Sequence, residues 1–299
     1  MGKKFTVCIG NFDGVHLGHR KIMSETLKLS RKLNVCSTAL SIIYPWGYYF
    51  PNFPGLIYTI AKRVELILSL GIKNVVTVDI EEIKDIEPEE YILALINQGM
   101  VGLVVGEDFT FGKGARGNTE LLRELSRKLK FELVIVPHLK RDGRKISSSW
   151  IRELLAQGKI ELANELLGSP YTISGKVYQD NRLGTKLGFP TANISRGIEK
   201  VVTPRSGVYI VKSIIGSRLY YGLLNIGFRP TVNFSKEIKY EVYFLDFSGD
   251  LYGKRLEIEL LKFLRPELKF ASIDELVHAI RRDERIARKW VSKLDSQVV

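Results

Sequence analysis

The stretch "CIGNFDGVHLGHRKIM", residues 8–23, holds two of the chain's four histidines, three positions apart among glycines, where an apolar run gives way to a helical pattern. The run "FTVCIG" (5–10) has the β-rich character of a buried strand, and Ile22, Thr26, Leu29 and Leu33 fall on one stripe of a following helix. Such a junction presents unpaired backbone N–H groups and the positive end of a helix dipole, so it favours an anion. His16 and His19, one turn apart, are expected to point the same way, and Gly10, Gly14 and Gly18 remove side chains that would keep a phosphate from the backbone. Imidazoles held there can donate hydrogen bonds to phosphate oxygens that gain charge during in-line displacement.

Outward from this stretch the first half keeps the same alternation. "VCSTALSII" (35–43) leads to "TIAKRVELILSLG" (59–71), with Thr59 as cap and Gly71 as stop. "VVTVD" (75–79) precedes a helix opened by Pro88, "GLVVG" (102–106) a helix from Thr119, and "FELVIVP" (131–137) a pair of short helices ending near Gly168. Five strands, each followed by a crossover, predict a parallel sheet covered on both faces, with ligands at the carboxyl ends of its strands. The second half changes period. "YTISGKVY", "GVYIVKSII", "LYYGLLNIG", "IKYEVYFLDF" and "KRLEIELLKFL" are strand-like runs joined by Gly, Asn and Asp turns without helices between them, which predicts a compact antiparallel barrel. A helix closes the chain from the capping box Ser272-x-x-Glu275, with Leu276, Ile280, Ala287, Trp290 and Leu294 on one side. The boundary falls at "LLGSPY" (166–171), which gives domains of 1–168 and 169–299.

Lys and Arg outnumber Asp and Glu by 45 to 33, which favours phosphate-bearing partners without choosing among nucleotides, nucleic acid and anionic lipid. Cys8 and Cys36 lie in apolar runs with no second ligand at metal spacing and are expected as buried thiols, consistent with a reducing cytoplasm. The first residues lack the pattern of a secretory signal. Residues 33–61 carry no charge, but Pro45, Pro51, Pro54, Gly47 and Gly55 interrupt them, so a strand and an aromatic loop are expected instead of a membrane span.

"GNFDGVHLGH" resembles the HxGH signature of nucleotidyltransferases, and its flanks are similar to those of the bifunctional riboflavin kinase and FMN adenylyltransferase family, the bacterial FAD synthetases. The resemblance extends over almost the whole chain. It implies an α/β Rossmann-like nucleotidyltransferase domain followed by a riboflavin kinase-like antiparallel barrel, acting in the cytoplasm on riboflavin, FMN and ATP with Mg²⁺. It also implies that His16 and His19 hold ATP phosphates and stabilise the transition state at the α-phosphorus, with Gly10, Asn11, Phe12, Asp13 and Gly18 bordering the nucleotide. No membrane or nucleic acid is expected as partner, and the chain is expected as a monomer or weak oligomer.

Three further blocks carry the resemblance. "KISSSWIR" (145–152) offers Ser148 and Ser149 at a helix start and Arg152 in its first turn, hydroxyls, N–H groups and a guanidinium for one anion. In the family this motif grips the departing pyrophosphate. "VVGEDFTFGKGARGN" (104–118) has GxGxxG spacing at Gly112, Gly114 and Gly117, but Gly112 lies six positions past the strand end at Gly106, so a dinucleotide fingerprint is rejected. The resemblance instead places Asp108, Phe109, Phe111 and Asn118 near FMN and ATP. "YPWGYYFPNFPG" (44–55) offers rings on which an isoalloxazine could stack, with Trp46 where the family often has His.

In the barrel half, "GTKLGFPTANI" (184–194) puts Thr191 and Asn193 on one side of an extended chain after Pro190, a pair of neutral oxygens suited to hydrated Mg²⁺. "KYEVYFLDFSGDLYG" (239–253) sets Glu241 and Tyr243 on one strand face, and a carboxylate there can take the proton of an attacking primary hydroxyl. By resemblance, Glu241 is the kinase base, Thr191 and Asn193 hold Mg²⁺-ATP, and the loop from Gly175 and Lys176 to Gly188 cradles phosphate. "NIGFRPT", with Asn225 and Arg229, and "FLRPELKF", with Arg265, border ATP and flavin. Asp180, Thr185 and Tyr243 depart from the family's usual Gly, Arg and His. Two other readings stay open at this stage. One is an HxGH nucleotidyltransferase acting on another phosphate ester, such as phosphopantetheine or glycerol phosphate, against which the barrel counts. The other is a basic, flavin-responsive nucleic-acid-binding protein, which no RNP-like, helix-turn-helix or zinc pattern supports.

Overall fold

The computed structural model describes the backbone of residues 3–179, 188–230 and 236–295, with residues 229, 230, 236, 237 and 295 described by backbone alone. Two compact units meet at Ile151 and Arg152.

The first unit realises the alternation read from the sequence. In chain order it runs β1 (Phe5–Gly10), α1 (Leu17–Leu33), β2 (Cys36–Ile42), α2 (Ile60–Ser69), β3 (Asn74–Val78), α3 (Ile80–Ile83), α4 (Pro88–Asn97), β4 (Met100–Gly106), α5 (Thr119–Leu129) and β5 (Glu132–Val136). The strands form one sheet in the order β3-β2-β1-β4-β5, every neighbouring pair parallel. Its connections leave β1 toward one edge and return toward the other, which opens a crevice at the carboxyl ends of β1 and β4. Alternate residues of β1 enter opposite cores: Val7 and Ile9 join Leu103 and Val105, whereas Cys8 joins Ala39, Val104, Met23 and Ile67. Both sheet faces are therefore covered, as a parallel sheet requires.

Local signals fix the ends of these helices. The Thr59 hydroxyl accepts from the Lys62 N–H at 3.3 Å, Pro88 begins α4, and Asn118 Oδ1 accepts from the N–H groups of Glu120 and Leu121. On α1 the fully buried positions are Met23, Thr26, Leu29 and Ser30, with Ile22 and Leu33 only partly covered. Cys8 is buried as expected, but Cys36, the first residue of β2, is exposed because the sheet's cover begins one residue later. No helix among the described residues is long and apolar enough to cross a membrane.

After a small hairpin, β6 (Lys140–Arg141) and β7 (Arg144–Lys145), the chain forms α6 (Ser148–Gln157) and α7 (Ile160–Leu167). Asn164 donates to the Leu260 carbonyl at 2.8 Å and accepts from the Tyr171 N–H at 2.7 Å, which ties α7 to the barrel strands. The barrel comprises β8 (Tyr171–Tyr178), β9 (Ala192–Ser195), β10 (Gly207–Ile215), β11 (Arg218–Pro230), β12 (Lys236–Phe244) and β13 (Arg255–Pro266), closed in the order β10-β11-β12-β9-β8-β13. Each barrel strand thus has two neighbours among the described residues. The short β9 completes the ring by pairing with β8 and β12. Gly175 serves this crossing, since a Cβ there would lie 2.4 Å from the Ser195 carbonyl oxygen. The C-terminal helix spans Ile273–Asp295, with Glu275 N–H on the Ser272 hydroxyl at 3.2 Å and the Glu275 carboxylate on the Ala271 N–H at 2.9 Å. Its Ala287 and Trp290 pack against Val208, Ile210 and Leu223 of the barrel.

Two candidate active sites

The sheet unit's crevice is built around the imidazole pair. His16 caps α1 with its own ring, Nδ1 accepting from the His19 N–H at 3.4 Å. A nitrogen that accepts carries no proton, so neutral His16 keeps its hydrogen on Nε2, which is then a donor. The two rings stack with centroids 3.6 Å apart, and Phe12 meets His19 edge-on at 5.4 Å. Gly18 makes room for this cap, since a Cβ there would lie 3.1 Å from the His16 ring. Burial, reinforced by the Lys145 charge, pushes His16 down to about 3. Burial also lowers His19 well below its ordinary value, with His16, Arg63 and Lys145 adding to the effect. Both rings are therefore neutral near pH 7, and His19 Nδ1 is a buried nitrogen with no hydrogen-bond partner among the described residues.

The loop between β1 and α1 is locked from behind. Phe12 and Val15 take left-handed backbone angles (φ 48° and 43°), a strain that needs support. The Asp13 carboxylate accepts from the Ile57 N–H at 3.0 and 3.1 Å and lies 3.7 Å from Arg63 Nη2. Arg63, 1% exposed, donates from Nη1 to the carbonyls of Asn11, Ile42 and Ile43 at 2.9, 2.8 and 2.9 Å. Asp13, expected beside the nucleotide, thus faces inward, because its two oxygens satisfy buried amides. Arg63 is not visible as functional in the sequence, where it reads as one more cation on an amphipathic helix.

A cavity of about 380 Å³ opens at this point, walled by the ends of β1, β4 and β5 at Gly10, Gly106 and Val136. Asn11, Phe12, His16, Gly18 and His19 line one side; Asp108, Phe109, Lys145, Ser148 and Ser149 line the other. The start of α6 differs in detail from expectation. Ser147 is its cap, accepting from the Trp150 N–H at 3.3 Å, while Ser148 donates to the Asp13 carbonyl at 2.8 Å. Arg152, one turn further along α6, is not among the lining residues. Lys145 and His138 hold Asp108, His138 Nε2 at 2.8 Å from Oδ1. Burial raises the Asp108 carboxyl, but the hydrogen bonds from Lys145 and His138 outweigh it and leave it below the usual range.

A second cavity of about 640 Å³ shares Ile9, Ile42, Phe109 and Thr110 with the first. Its walls are mainly apolar and aromatic, with Phe109 and Phe111 stacked at 5.6 Å beside Trp46, Ile80, Ile83 and Tyr91, and Lys84, Asp85 and Thr110 add polar groups to the lining. Most rings of the 44–55 loop pack on one another, Tyr44 on Tyr48 at 4.1 Å and Tyr48 on Phe53 at 5.6 Å, and of them Trp46 faces this cavity. Asn118 lines neither cavity, its carboxamide being used to cap α5.

The barrel unit gathers its own set. A cavity of about 320 Å³ is lined by Thr191, Asn225, Glu241, Tyr243 and Arg265, with Phe189 edge-on to Tyr243 at 5.5 Å. Glu241 pairs in register with Asn193 on one side and Asn225 on the other. Lys239 Nζ stands 4.0 Å from Glu241. Asn193 is 5% exposed and its Oδ1 has no hydrogen-bond partner among the described residues. Arg265 is fixed by Asp283 of the C-terminal helix, with Nε and Nη2 at 2.9 and 2.7 Å from one oxygen, a buried partner that sequence periodicity did not mark. A neighbouring cavity of about 310 Å³ meets the first at Thr191 and includes Pro190, Phe247, Asp250 and Tyr252. Lys176 is an exposed residue of β8 and lines neither. Gly188 has a left-handed φ of 83° with open space around it, whereas Asp180, Thr185 and the side chain of Arg229 lie outside the described residues.

A doubly wound parallel sheet with paired neutral imidazoles at its switch point, joined to a closed barrel with a carboxylate in an open cavity, defines a two-site enzyme of the phosphoryl- and nucleotidyl-transfer class. The sequence comparisons make this specific. Residues 2–150 match the FAD synthetase family model and residues 167–291 the riboflavin kinase model. Curated relatives named bifunctional riboflavin kinase/FMN adenylyltransferase include those of Buchnera aphidicola from Schizaphis graminum (36% identical, covering 95% of this chain and 93% of theirs) and Escherichia coli K12 (34%, 94% and 91%). That of Bacillus subtilis 168 is 33% identical, covering 97% and 94%. A crystal structure described as a macrolide-efflux protein from Streptococcus pneumoniae superposes with a TM-score of 0.87 at 28% identity, over 96% of this chain and 95% of its own. The chain belongs to the bifunctional riboflavin kinase/FMN adenylyltransferase family.

Proposed function

We propose that FAD synthesis is divided between two functional domains with the boundary expected from the sequence, the barrel domain (169–299) phosphorylating riboflavin and the sheet domain (1–168) transferring AMP from ATP to the FMN so formed. The chain is a riboflavin kinase and FMN adenylyltransferase, with riboflavin, FMN and ATP as substrates. The observation that carries the division is the stacked, neutral His16–His19 pair at the mouth of the crevice. His16 Nε2–H donates to an α-phosphate oxygen as charge builds on it, and the first turn of α6 at Ser148 and Ser149, with Arg152 behind it, receives the leaving pyrophosphate. The cation of Lys145 at the rim favours the same anion. The apolar cavity between Trp46, Phe109 and Phe111 takes the flavin ring, with the FMN phosphate toward the imidazoles.

In the barrel, Glu241 takes the proton of the riboflavin primary hydroxyl as its oxygen attacks the γ-phosphorus of ATP. Asn193 lines neither barrel cavity, but its Oδ1, buried and without a hydrogen-bond partner among the described residues, supports a cation site, because a hard cation would satisfy an oxygen that has no donor. Thr191 and Asn193 would hold that Mg²⁺, which would supply positive charge to offset that of the transferring phosphates. Asn225 and Arg265 orient substrate, Arg265 through its anchor on Asp283. Nothing in this chemistry calls for nucleic acid, a membrane or a second subunit, so the protein acts as a cytoplasmic monomer or weak oligomer. The test is a time course with riboflavin and ATP, with and without Mg²⁺, resolving riboflavin, FMN and FAD. FMN should rise first and FAD follow, both only with Mg²⁺; no flavin phosphorylation, or equal rates without the metal, refutes the reading.

A further inference from the structure

The strand that carries Asn193 is the shortest in the barrel. β9 has four residues and makes three register pairs with β8 but only two with β12, Glu241 with Asn193 and Val242 with Ala192. Cross-strand neighbours project to the same side of a sheet, so Asn193 shares the side of Glu241, while Ala192 and Ile194 turn inward with Val242 and Val177. Arg196, two residues past Ile194, keeps that inward parity. Its guanidinium donates from Nη2 to the Tyr171 hydroxyl at 3.1 Å, and from Nη1 to the Tyr240 hydroxyl at 3.2 Å and the Val202 carbonyl at 2.9 Å. It also lies 5.3 Å from the centre of the Tyr240 ring. Tyr171 belongs to β8 and Tyr240 to β12, the two strands that flank β9, and both are buried. One planar fork therefore ties the end of β9 to each of its neighbours and folds the following loop back at Val202. All three partners are neutral, so what the guanidinium supplies here is geometry rather than charge pairing.

We infer that Arg196 is a positioning residue for riboflavin phosphorylation: from the inner side of the barrel it sets where β9 lies, and with it the spacing of Thr191 and Asn193 from Glu241 on the outer side. The inference rests on the reading that Thr191 and Asn193 meet the magnesium nucleotide. A ladder of two pairs is weakly held and tilts readily without a side-chain anchor. The tilt would be felt in nucleotide binding and not in riboflavin binding, because Asn225 and Arg265 stand on β11 and β13, strands that do not pair with β9.

The test compares Arg196→Met and Arg196→Lys with the original full chain, well below their melting temperatures. In Arg196→Met the KM for ATP in riboflavin phosphorylation should rise about ten-fold while the KM for riboflavin holds. ADP with Mg²⁺ should also bind more weakly in a calorimetric titration, the nucleotide site of the sheet unit giving the same background in both proteins. Arg196→Lys, which keeps the charge without the fork, should recover only part of the ATP affinity. Tyr240→Phe removes one hydroxyl from the fork and leaves the ring, so it serves where Arg196→Met does not fold, and it should raise the KM for ATP about three-fold. FMN adenylylation by the sheet unit is the internal control. Lost stability alone reduces the amount of active enzyme and so lowers kcat without moving either KM. An unchanged KM for ATP overturns the inference, and so does an equal rise in both KM values, which would make Arg196 a general brace of the barrel. If Asn193→Ala leaves the KM for ATP and the Mg²⁺ requirement unchanged, the underlying reading fails instead, and the two failures are distinct.

Discussion

Replacing Arg63 with Met keeps roughly the length of the side chain and removes the guanidinium that fastens the loop between β1 and α1. Three carbonyls, of Asn11, Ile42 and Ile43, then lose donors at 2.8–2.9 Å, and the Asp13 carboxylate loses its cation at 3.7 Å. The guanidinium and the Asp13 carboxylate are enclosed, at 1% exposure each, while the three carbonyls are only partly covered, and breaking a buried charge pair by removing one partner costs about 3–5 kcal/mol. That is a large fraction of the roughly 5–15 kcal/mol that holds a typical domain folded. Where the unit survives, the left-handed turns at Phe12 and Val15 lose their support, and a shift of about 1 Å in the catalytic geometry lowers the rate roughly 100-fold. The assay is chromatographic separation of FMN and FAD after incubation with FMN and ATP, alongside urea unfolding. FAD formation should fall at least ten-fold and the first unfolding transition should move to lower urea, while riboflavin phosphorylation persists. Arg63→Met combined with Asp13→Asn should recover part of the lost stability, because no lone charge stays buried. If Arg63→Met alone keeps both FAD formation and stability near the original values, Arg63 does not hold the loop.

Three further outcomes follow from the geometry. Glu241→Gln should reduce riboflavin phosphorylation about 100-fold or more by removing the proton acceptor, yet leave FMN-to-FAD conversion unaffected. The depressed histidine pKa values set a pH dependence of stability: the unfolded chain takes up protons below about 6.5, whereas folded His16 stays neutral until about 3. His16 should therefore cost the sheet unit about 2 kcal/mol between pH 7 and pH 5, measured by denaturant unfolding, with His19 acting in the same direction, and His16→Ala should flatten that slope. For the same reason the adenylyl-transfer rate should show no histidine inflection near pH 6.5.

How far the sequence discloses this molecule differs between its parts. The sheet is legible because each signal is local: Thr59 and Pro88 mark helix starts by chemistry within four residues, and β1 and β4 are largely apolar runs, whereas the cap at Asn118 shows only in the structure. The imidazole pair is legible because spacing, glycines and a strand-to-helix junction coincide at residues 10–19. Long-range polar pairing is not local and leaves no periodic trace. Arg63 meets Asn11 across 52 residues, and Asp283 meets Arg265 from the far helix. Asp13 reads as a loop carboxylate free to meet a ligand, and only the fold brings the amides of Ile57 and Tyr58 to it. The Ser-rich start of α6 is correct as a block and shifted by one residue in detail, since any of three adjacent serines can cap and tertiary contact with Asp13 selects Ser147. β9 escapes the strand pattern because its four residues are too few to show alternation.

The account turns on stacked, uncharged imidazoles serving a nucleotide's phosphates at the end of β1. The most direct measurement is the rate of FAD and pyrophosphate release from FMN and ATP in His16→Ala and His19→Ala, with riboflavin phosphorylation followed in the same samples. FAD release should drop about 100-fold or more while FMN accumulates normally from riboflavin. FAD formation at the original rate in both variants would contradict the account.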